Sequence, residues 1–599
     1  MKKTHIALIS GVIAVMAGTP YFGSKLDQYR VVVPDYQRPP EVITVDQRWT
    51  EQQRHQFHHT SQGTRLLPAD WFRALEQPCF SPAGCGLFAD PAYLNRFGFM
   101  PSHKDAVNPD GLPVGFAIDR DYVDPDDKRA YSVVGLTCAA CHSGELYYDK
   151  YAVQIDGAPA MIEIAAFQKA LGLALAFTDT FPMSVGRYGR FEQRVLGPNA
   201  TAEQKAELKR QLDAYLAAAR HQLDVTNAGH IYDNPAGFMR TDALTRIGNQ
   251  VFAADTNIDA NYAVANAPVR FPQIWDASWF TWVQYNSSIA DPLARNIGEA
   301  LGVRASLKLY GRDAANFDNS VNLRGLRSIE ELLAGPAPFQ GLASPKWPAV
   351  FPPLDQQKVA AGAALYQQRC QQCHLPPRDE VLADLHTASS EEGYESKYWW
   401  KNGAGNWYLK VSDVEIDYVG TDRHEAEDFR NRKAETGDLG KGVVSAATGL
   451  DLVTTGIADR FFRQQNITAA EERLRWAGGR DPRDPRVRDE LIYKARPLNG
   501  IWAAAPYLHN GSVPTLEALL SPDDNARPAK FWMGSKQYDP VKVGYDGSEI
   551  PGATLFDTTM PGNSNQGHRF KNAPRGNGVI GPEFSAAERA AIIEYLKSL

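Results

Sequence analysis

Residues 131–148 read YSVVGLTCAACHSGELYY, and residues 361–380 read AGAALYQQRCQQCHLPPRDE. Each stretch sets two cysteines two residues apart with a histidine directly after the second. In C-x-x-C-H the two thiols reach the two vinyl groups of one haem while the adjacent imidazole coordinates its iron, which is why the spacing tolerates little change. A zinc knuckle would gather four ligands at each site, and a redox dithiol would sit in a thioredoxin-like context without a trailing histidine. The doubled motif therefore predicts two covalently bound haem c groups, one on Cys138, Cys141 and His142, the other on Cys370, Cys373 and His374.

The remaining cysteines, Cys79 and Cys85 in QPCFSPAGCGLF, are placed to close a short Pro/Gly loop as a disulfide, which suits an oxidising compartment. The N-terminus points the same way. Lys2 and Lys3 precede an apolar run, IALISGVIAVMAG, of signal-peptide length, so residues 1–24 read as a signal peptide or an uncleaved anchor. The expected location is secreted or periplasmic, with no membrane span beyond that segment. The net charge of -7 offers no basic face for nucleic acid. With 43% apolar and 22% charged residues, the chain can bury a large core and is not disordered.

At 599 residues the chain is too long for one ordinary core. The stretch 332–357, LLAGPAPFQGLASPKWPAVFPPLDQQ, is dense in Pro and Gly and separates two regions that each own one haem motif. We expect an N-terminal haem domain over 25–340 and a C-terminal cytochrome c-like domain over 341–599. In the second, Asp355 caps a helix that delivers Cys370, and SAAERAAIIEYLKSL closes the chain with a Ser585/Glu588 capping box and an apolar stripe. Between them lies an insertion over roughly 375–495. Helices are also expected from Met161 and from Thr201, with few, short strands. The fold class expected is mainly α with extensive irregular loops: two cytochrome c-like haem domains with large insertions.

Three further stretches carry a resemblance. RPLNGIWAAAPYLHNGSVPTLEALL, 496–520, resembles the PYxHxGS segment of bacterial di-haem peroxidases and MauG. With GFMRTDALTRIGNQVF, 237–252, and PGNSNQGHRF, 561–570, the chain is similar to di-haem rubber oxygenases of the RoxA and RoxB type. That resemblance implies a dioxygenase with a reactive haem on His142, whose far side has no protein ligand, and a six-coordinate haem on His374. It implies His568 as the opposite ligand of the second haem, with His509 and Met560 as rivals. The implied reaction is oxidative cleavage of C=C bonds in polyisoprene or a similar apolar alkene, consuming dioxygen and leaving aldehyde and ketone fragments.

Such a substrate needs an apolar wall. In VRFPQIWDASWFTWVQYNSSIADPLARNIGEALGV the residues Trp275, Trp279 and Trp282 recur at helical spacing, with Phe280 and Trp282 the first candidates for the catalytic pocket and Ile297 and Ala300 behind them. A stripe of core packing is the alternative. Gln284 and Glu299 are candidates for the positioned acid a peroxidase would need. The peroxidase or MauG-like reading would bring a redox partner, and a third reading is a plain electron carrier. Calcium is a further candidate through the acids of DYVDPDD, 121–127, although the regular loop pattern is missing. His55, His58 and His59, in EQQRHQFHHTSQ, read as a solvated polar stretch, with adventitious metal binding the alternative.

Overall fold

The computed structural model describes residues 31–599 apart from 80, 82, 181–183, 226–233, 291, 389–394, 470, 471, 474, 475 and 477–487. Residues 1–30, on which the expected signal peptide or anchor falls, lie outside the described residues. Among those described, no helix is long and apolar enough to cross a membrane.

The two haem motifs are built differently, and this overturns the expectation of a mainly α chain. The structure is 39% helical and 16% strand, with ten small sheets of two or three strands among the described residues. The first motif hangs between two of them. Val133–Leu136 pairs with Phe116–Asp119 and Leu67–Pro68 and leads into Thr137. Ser143–Tyr148 starts directly after His142, turns back through Asp149 at φ 51, and pairs with Tyr151–Asp156. A two-residue turn of this kind needs left-handed backbone, which Asp tolerates. VVGL and YAVQID lean on β-branched residues, which favour the pleated surface. A short strand buried on both faces shows no helical period, so a reading weighted toward amphipathic helices undercounts such elements.

The second motif follows helical rules. Asp355 accepts from the amides of Gln357 and Lys358 and starts the helix Gln356–Arg369, which ends at Cys370. The C-terminal helix Ala586–Ser598 carries the Ser585/Glu588 capping box. The two cross at Gly362, where a Cβ would lie 2.2 Å from Ala591 O and 2.6 Å from Tyr595 Cβ. Gly362→Ala is therefore expected to destabilise the protein by about 3 kcal/mol, because neither backbone can give way. Urea denaturation checks this, and an unchanged midpoint would mean that the crossing can loosen at no cost.

The halves share their interior. One buried cluster combines Phe57, Val153 and Trp275 with Trp502, Tyr538, Phe570 and Ile592. A second unites Ile247, Ile297 and Leu326 with Phe429, Leu450 and Ile457, so the expected insertion packs on the N-terminal half. A buried ion pair joins Glu145 to Lys536 at 3.1 Å.

Cys79 and Cys85 form a disulfide with Cα atoms 6.2 Å apart. Beside it, the buried Glu76 accepts from Arg190 at 2.7 Å and Arg194 at 2.9 Å. Burial alone would raise its pKa, but these bonds prevail and hold it at about 2, below the ordinary value of 4.5. A depressed folded-state pKa gives stability that is present above the unfolded value and lost as pH falls toward the folded one. Thermal stability is thus expected to fall from about pH 4.5 to pH 2, and Glu76→Gln should flatten part of that slope. An identical pH profile in the variant would remove Glu76 from the account.

Candidate haem centres

Cys138, Cys141, Cys370 and Cys373 are all unbridged. The first pair is held from below by the helix Glu51–His59, whose terminal carbonyl at His58 accepts from Thr137 Oγ1 at 2.9 Å and from the Gly115 amide. Cys138, Cys141 and His142 sit deep in the chain yet keep some open surface, so they line internal space. His142 Nδ1 donates to Pro272 O at 2.8 Å. A carbonyl can only accept, so Nε2 carries the lone pair that a metal would use. Burial pushes the imidazole down to about 4, which keeps it neutral at physiological pH. The ring set against it among the described residues is Phe271, with centroids 6.4 Å apart.

The second pair differs at that point. His374 Nδ1 donates to Arg496 O at 2.7 Å, again freeing Nε2. Across from it stands His568, with ring centroids 6.1 Å apart and planes at 63°. Two imidazoles each bonded to one metal at about 2 Å have their ring centres about 6 Å apart. Burial lowers the His568 pKa to about 3, and its Nδ1 is buried with no hydrogen-bond partner. A buried polar atom left unpaired is costly. The centroid spacing is one that a metal held between the two imidazoles would give. His568 has φ 47, and its amide is fixed by Val419 O at 2.8 Å.

The rivals lie elsewhere. His509 stacks on Tyr493 with centroids 4.1 Å apart, and its carbonyl accepts from the Arg270 amide. Met560 sits in a turn closed by a bond from its amide to Asp557 O.

Residues 271–284 run between the two motifs. Phe271 faces His142, Pro272 O receives its proton, and Gln273 O accepts from the Arg496 guanidinium. Arg496 thus touches both centres: its side chain braces the segment that orients His142, and its carbonyl orients His374. The aromatic stretch is not the helix its spacing suggests. Only a single 3-10 turn, Ala277–Trp279, forms there, because buried Lys494 draws the carbonyls of Trp282 and Gln284 to its Nζ at 2.6 and 2.7 Å and Gln284 takes φ 66. The rings therefore diverge. Trp275 enters the shared core and donates to Asn499 O. Phe280 packs with Leu375, next to His374. Trp282 lies under Arg488, 3.9 Å from its guanidinium carbon. Ile297 and Ala300 belong to the cluster on the helix Pro292–Gly302.

Sequence reasoning missed the buried cations around these motifs. Arg295 donates to Glu330 at 2.7 Å and to Ala277 O, and its charge is felt at both Cys138 and His142. Arg246 acts on Cys141, and burial pushes its own pKa down. Arg496 is lowered by burial to about 10, and its Nε is buried without a partner. Anions such as haem propionates are what these groups would hold. Nothing in the local pattern marks them, since each arginine is isolated in sequence. Glu299, a candidate acid, is half-buried near Cys138 and Cys141, is raised by desolvation, and pairs with Gln284.

The expected calcium acids do not converge. Asp124 is taken by Arg65 and Tyr131, Asp127 by Arg129, and Asp126 by Tyr310, so DYVDPDD does not fit a calcium loop. His55, His58 and His59, expected in solvent, are buried at 6–7% exposure. His58 binds Asp156 at 2.6 Å, and His59 donates from Nδ1 to Phe116 O at 2.7 Å, leaving Nε2 to accept from Ser102 Oγ at 3.0 Å. The helix is capped by Thr50 and laid against the first motif, which its polar composition does not reveal.

The RoxA-like, cytochrome c-like family matches residues 492–533, the segment that supplies Lys494, Arg496 and His509. Over the full length of both proteins, the chain is 42% identical to the uncharacterized protein y4iJ of Sinorhizobium fredii (strain NBRC 101917 / NGR234). A second protein of that strain, the uncharacterized y4iM, is 26% identical over 55% of this chain and 63% of its own length. The chain belongs to the family of y4iJ and carries a RoxA-like, cytochrome c-like domain over residues 492–533, which implies haem c.

Proposed function

We propose that this protein is an exported di-haem c dioxygenase that cleaves C=C bonds of an apolar alkene, polyisoprene or a similar chain, to aldehyde and ketone fragments. The observation that carries the reading is the inequality of the two histidines. His374 faces a second imidazole, whereas the ring against His142 is apolar Phe271. Haem c, when bound, supplies an iron that takes up dioxygen where one face lacks a protein ligand and one that stores or passes electrons where both faces are ligated. His142 is oriented by Pro272, and His374 and His568 close the second centre. Phe280 and Trp282 form part of the wall between them. The disulfide supports export, since such bonds persist in oxidising compartments.

The balance of the reaction is simple. One C=C bond breaks, two C=O bonds form, and both oxygen atoms of one dioxygen are consumed without an outside reductant. The test is turnover of latex under 18O2, with products trapped at once by borohydride to prevent exchange with water. One labelled oxygen in each carbonyl fragment is expected. Product formed only on adding hydrogen peroxide would overturn the reading.

A second reading, a peroxidase or MauG-like oxidase, has Glu299 in its favour. A half-buried carboxyl with a raised pKa near the first motif is the kind of group that delivers a proton during peroxide cleavage. It would need a redox or protein partner. Glu299→Gln separates the two: a loss of about a hundredfold in peroxide-driven turnover, with alkene cleavage intact, belongs to the oxidase.

Arg496→Leu should lower turnover by roughly 10- to 100-fold, the usual effect of losing a group that orients a metal ligand. It should shift the spectrum of the first haem while the second keeps its own, because His374 is held by the backbone carbonyl. Equal shifts in both would contradict the bracing role.

A further inference from the structure

The helix Glu51–His59 and the loop 101–112 bring His55, His103 and Asp105 together, with one ligand atom from each lying within 4.8 Å of the others. Their immediate chemistry points at a cation. Asp105 divides its carboxylate: Oδ1 accepts from the amides of Val107 and Asn108 at 2.8 and 2.7 Å, while Oδ2 faces His55 Nε2 at 2.9 Å and His103 Nε2 at 3.8 Å. His55 is 6% exposed. Its Nε2 is buried and lies 2.9 Å from Asp105 Oδ2. The His55 and His103 rings stack with centroids 4.6 Å apart. His59 backs His55 from the other side, its centroid also 4.6 Å away.

The loop is held in this form by its own sequence. Asn108, buried at 4%, accepts from the Leu112 amide and donates to the carbonyls of Leu112 and His103. His103 and Asp105 are therefore side by side without help from an ion, and both are exposed, so a cation can enter from solvent.

We propose that His55, His103 and Asp105 form a binding site for a divalent zinc-class cation, separate from either haem motif, that staples the 101–112 loop to the helix beneath Cys138. Two imidazoles and one carboxylate suit zinc, and the open outer side leaves room for water as a fourth ligand. Magnesium and calcium prefer all-oxygen sets. The site differs from the surface pair His221 and Asp259, 3.3 Å apart, in having a second imidazole and a buried anchor.

The test uses the haem-loaded full chain without added histidine tags, stripped with a chelator and titrated with Zn2+ against a chromophoric competitor. One equivalent beyond the haem iron is expected, and His103→Ala and Asp105→Asn should each weaken it by at least about tenfold. His221→Ala should change nothing. Both loop variants alter exposed side chains, and unchanged haem spectra will show that they are folded. Lys104, exposed between the two loop ligands, supplies a second readout: Zn2+ should slow tryptic cleavage after Lys104 by about tenfold in the parent and not in the variants. Failure to bind zinc, equal affinity in parent and loop variants, or binding that leaves the cleavage rate untouched would each overturn the proposal.

Discussion

His142→Ala is expected to abolish alkene cleavage, a loss of at least about a thousandfold, equivalent to roughly 4 kcal/mol in the barrier. In the proposed function this imidazole is the iron ligand of the first motif, and the bond from Nδ1 to Pro272 O leaves its Nε2 free to coordinate. Cys138 and Cys141 remain, so haem staining of the denatured protein should still report two covalent groups. The native spectrum should lose the signature of the first centre alone. Added imidazole should restore part of the activity, because the space left by the side chain opens on the same internal surface. Full oxygen consumption in His142→Ala would remove this centre from the reaction and with it the proposed function.

His568→Ala acts on the other centre and in a different manner. With the facing ring removed, the second haem should pass from a low-spin, doubly ligated form to one that binds carbon monoxide or cyanide, observable in the visible spectrum of the reduced protein. Its midpoint potential should move, and turnover should fall by an amount that measures how far the reaction depends on that centre. His509→Ala serves as the comparison. His509 is stacked on Tyr493, and its variant should leave the spectrum of the second haem in place. A low-spin second haem that survives His568→Ala and is lost in His509→Ala would reverse the assignment.

These two experiments rest on different kinds of information. The covalent motifs are legible in sequence because every atom they need lies within five consecutive residues. The helix before Cys370 and the closing helix are legible for a similar reason, since caps and apolar stripes are local. The strand pair after His142, Ser143–Tyr148 and Tyr151–Asp156, leaves little trace in the sequence because its burial erases the alternation that would mark it. The aromatic stretch was over-read as a helix because spacing cannot register that a buried lysine from far along the chain, Lys494, would pull the carbonyls of Trp282 and Gln284 out of any helical ladder.

The paired C-x-x-C-H motifs, and the imidazole each one offers, are readable without any structure because they are written in contiguous residues. Tertiary structure alone decided that His568 faces His374, that Arg496 braces both centres, and that a helix full of histidines is buried beneath Cys138. Those relations join segments from 79 to 223 residues apart, and only the folding of the shared core brings them together.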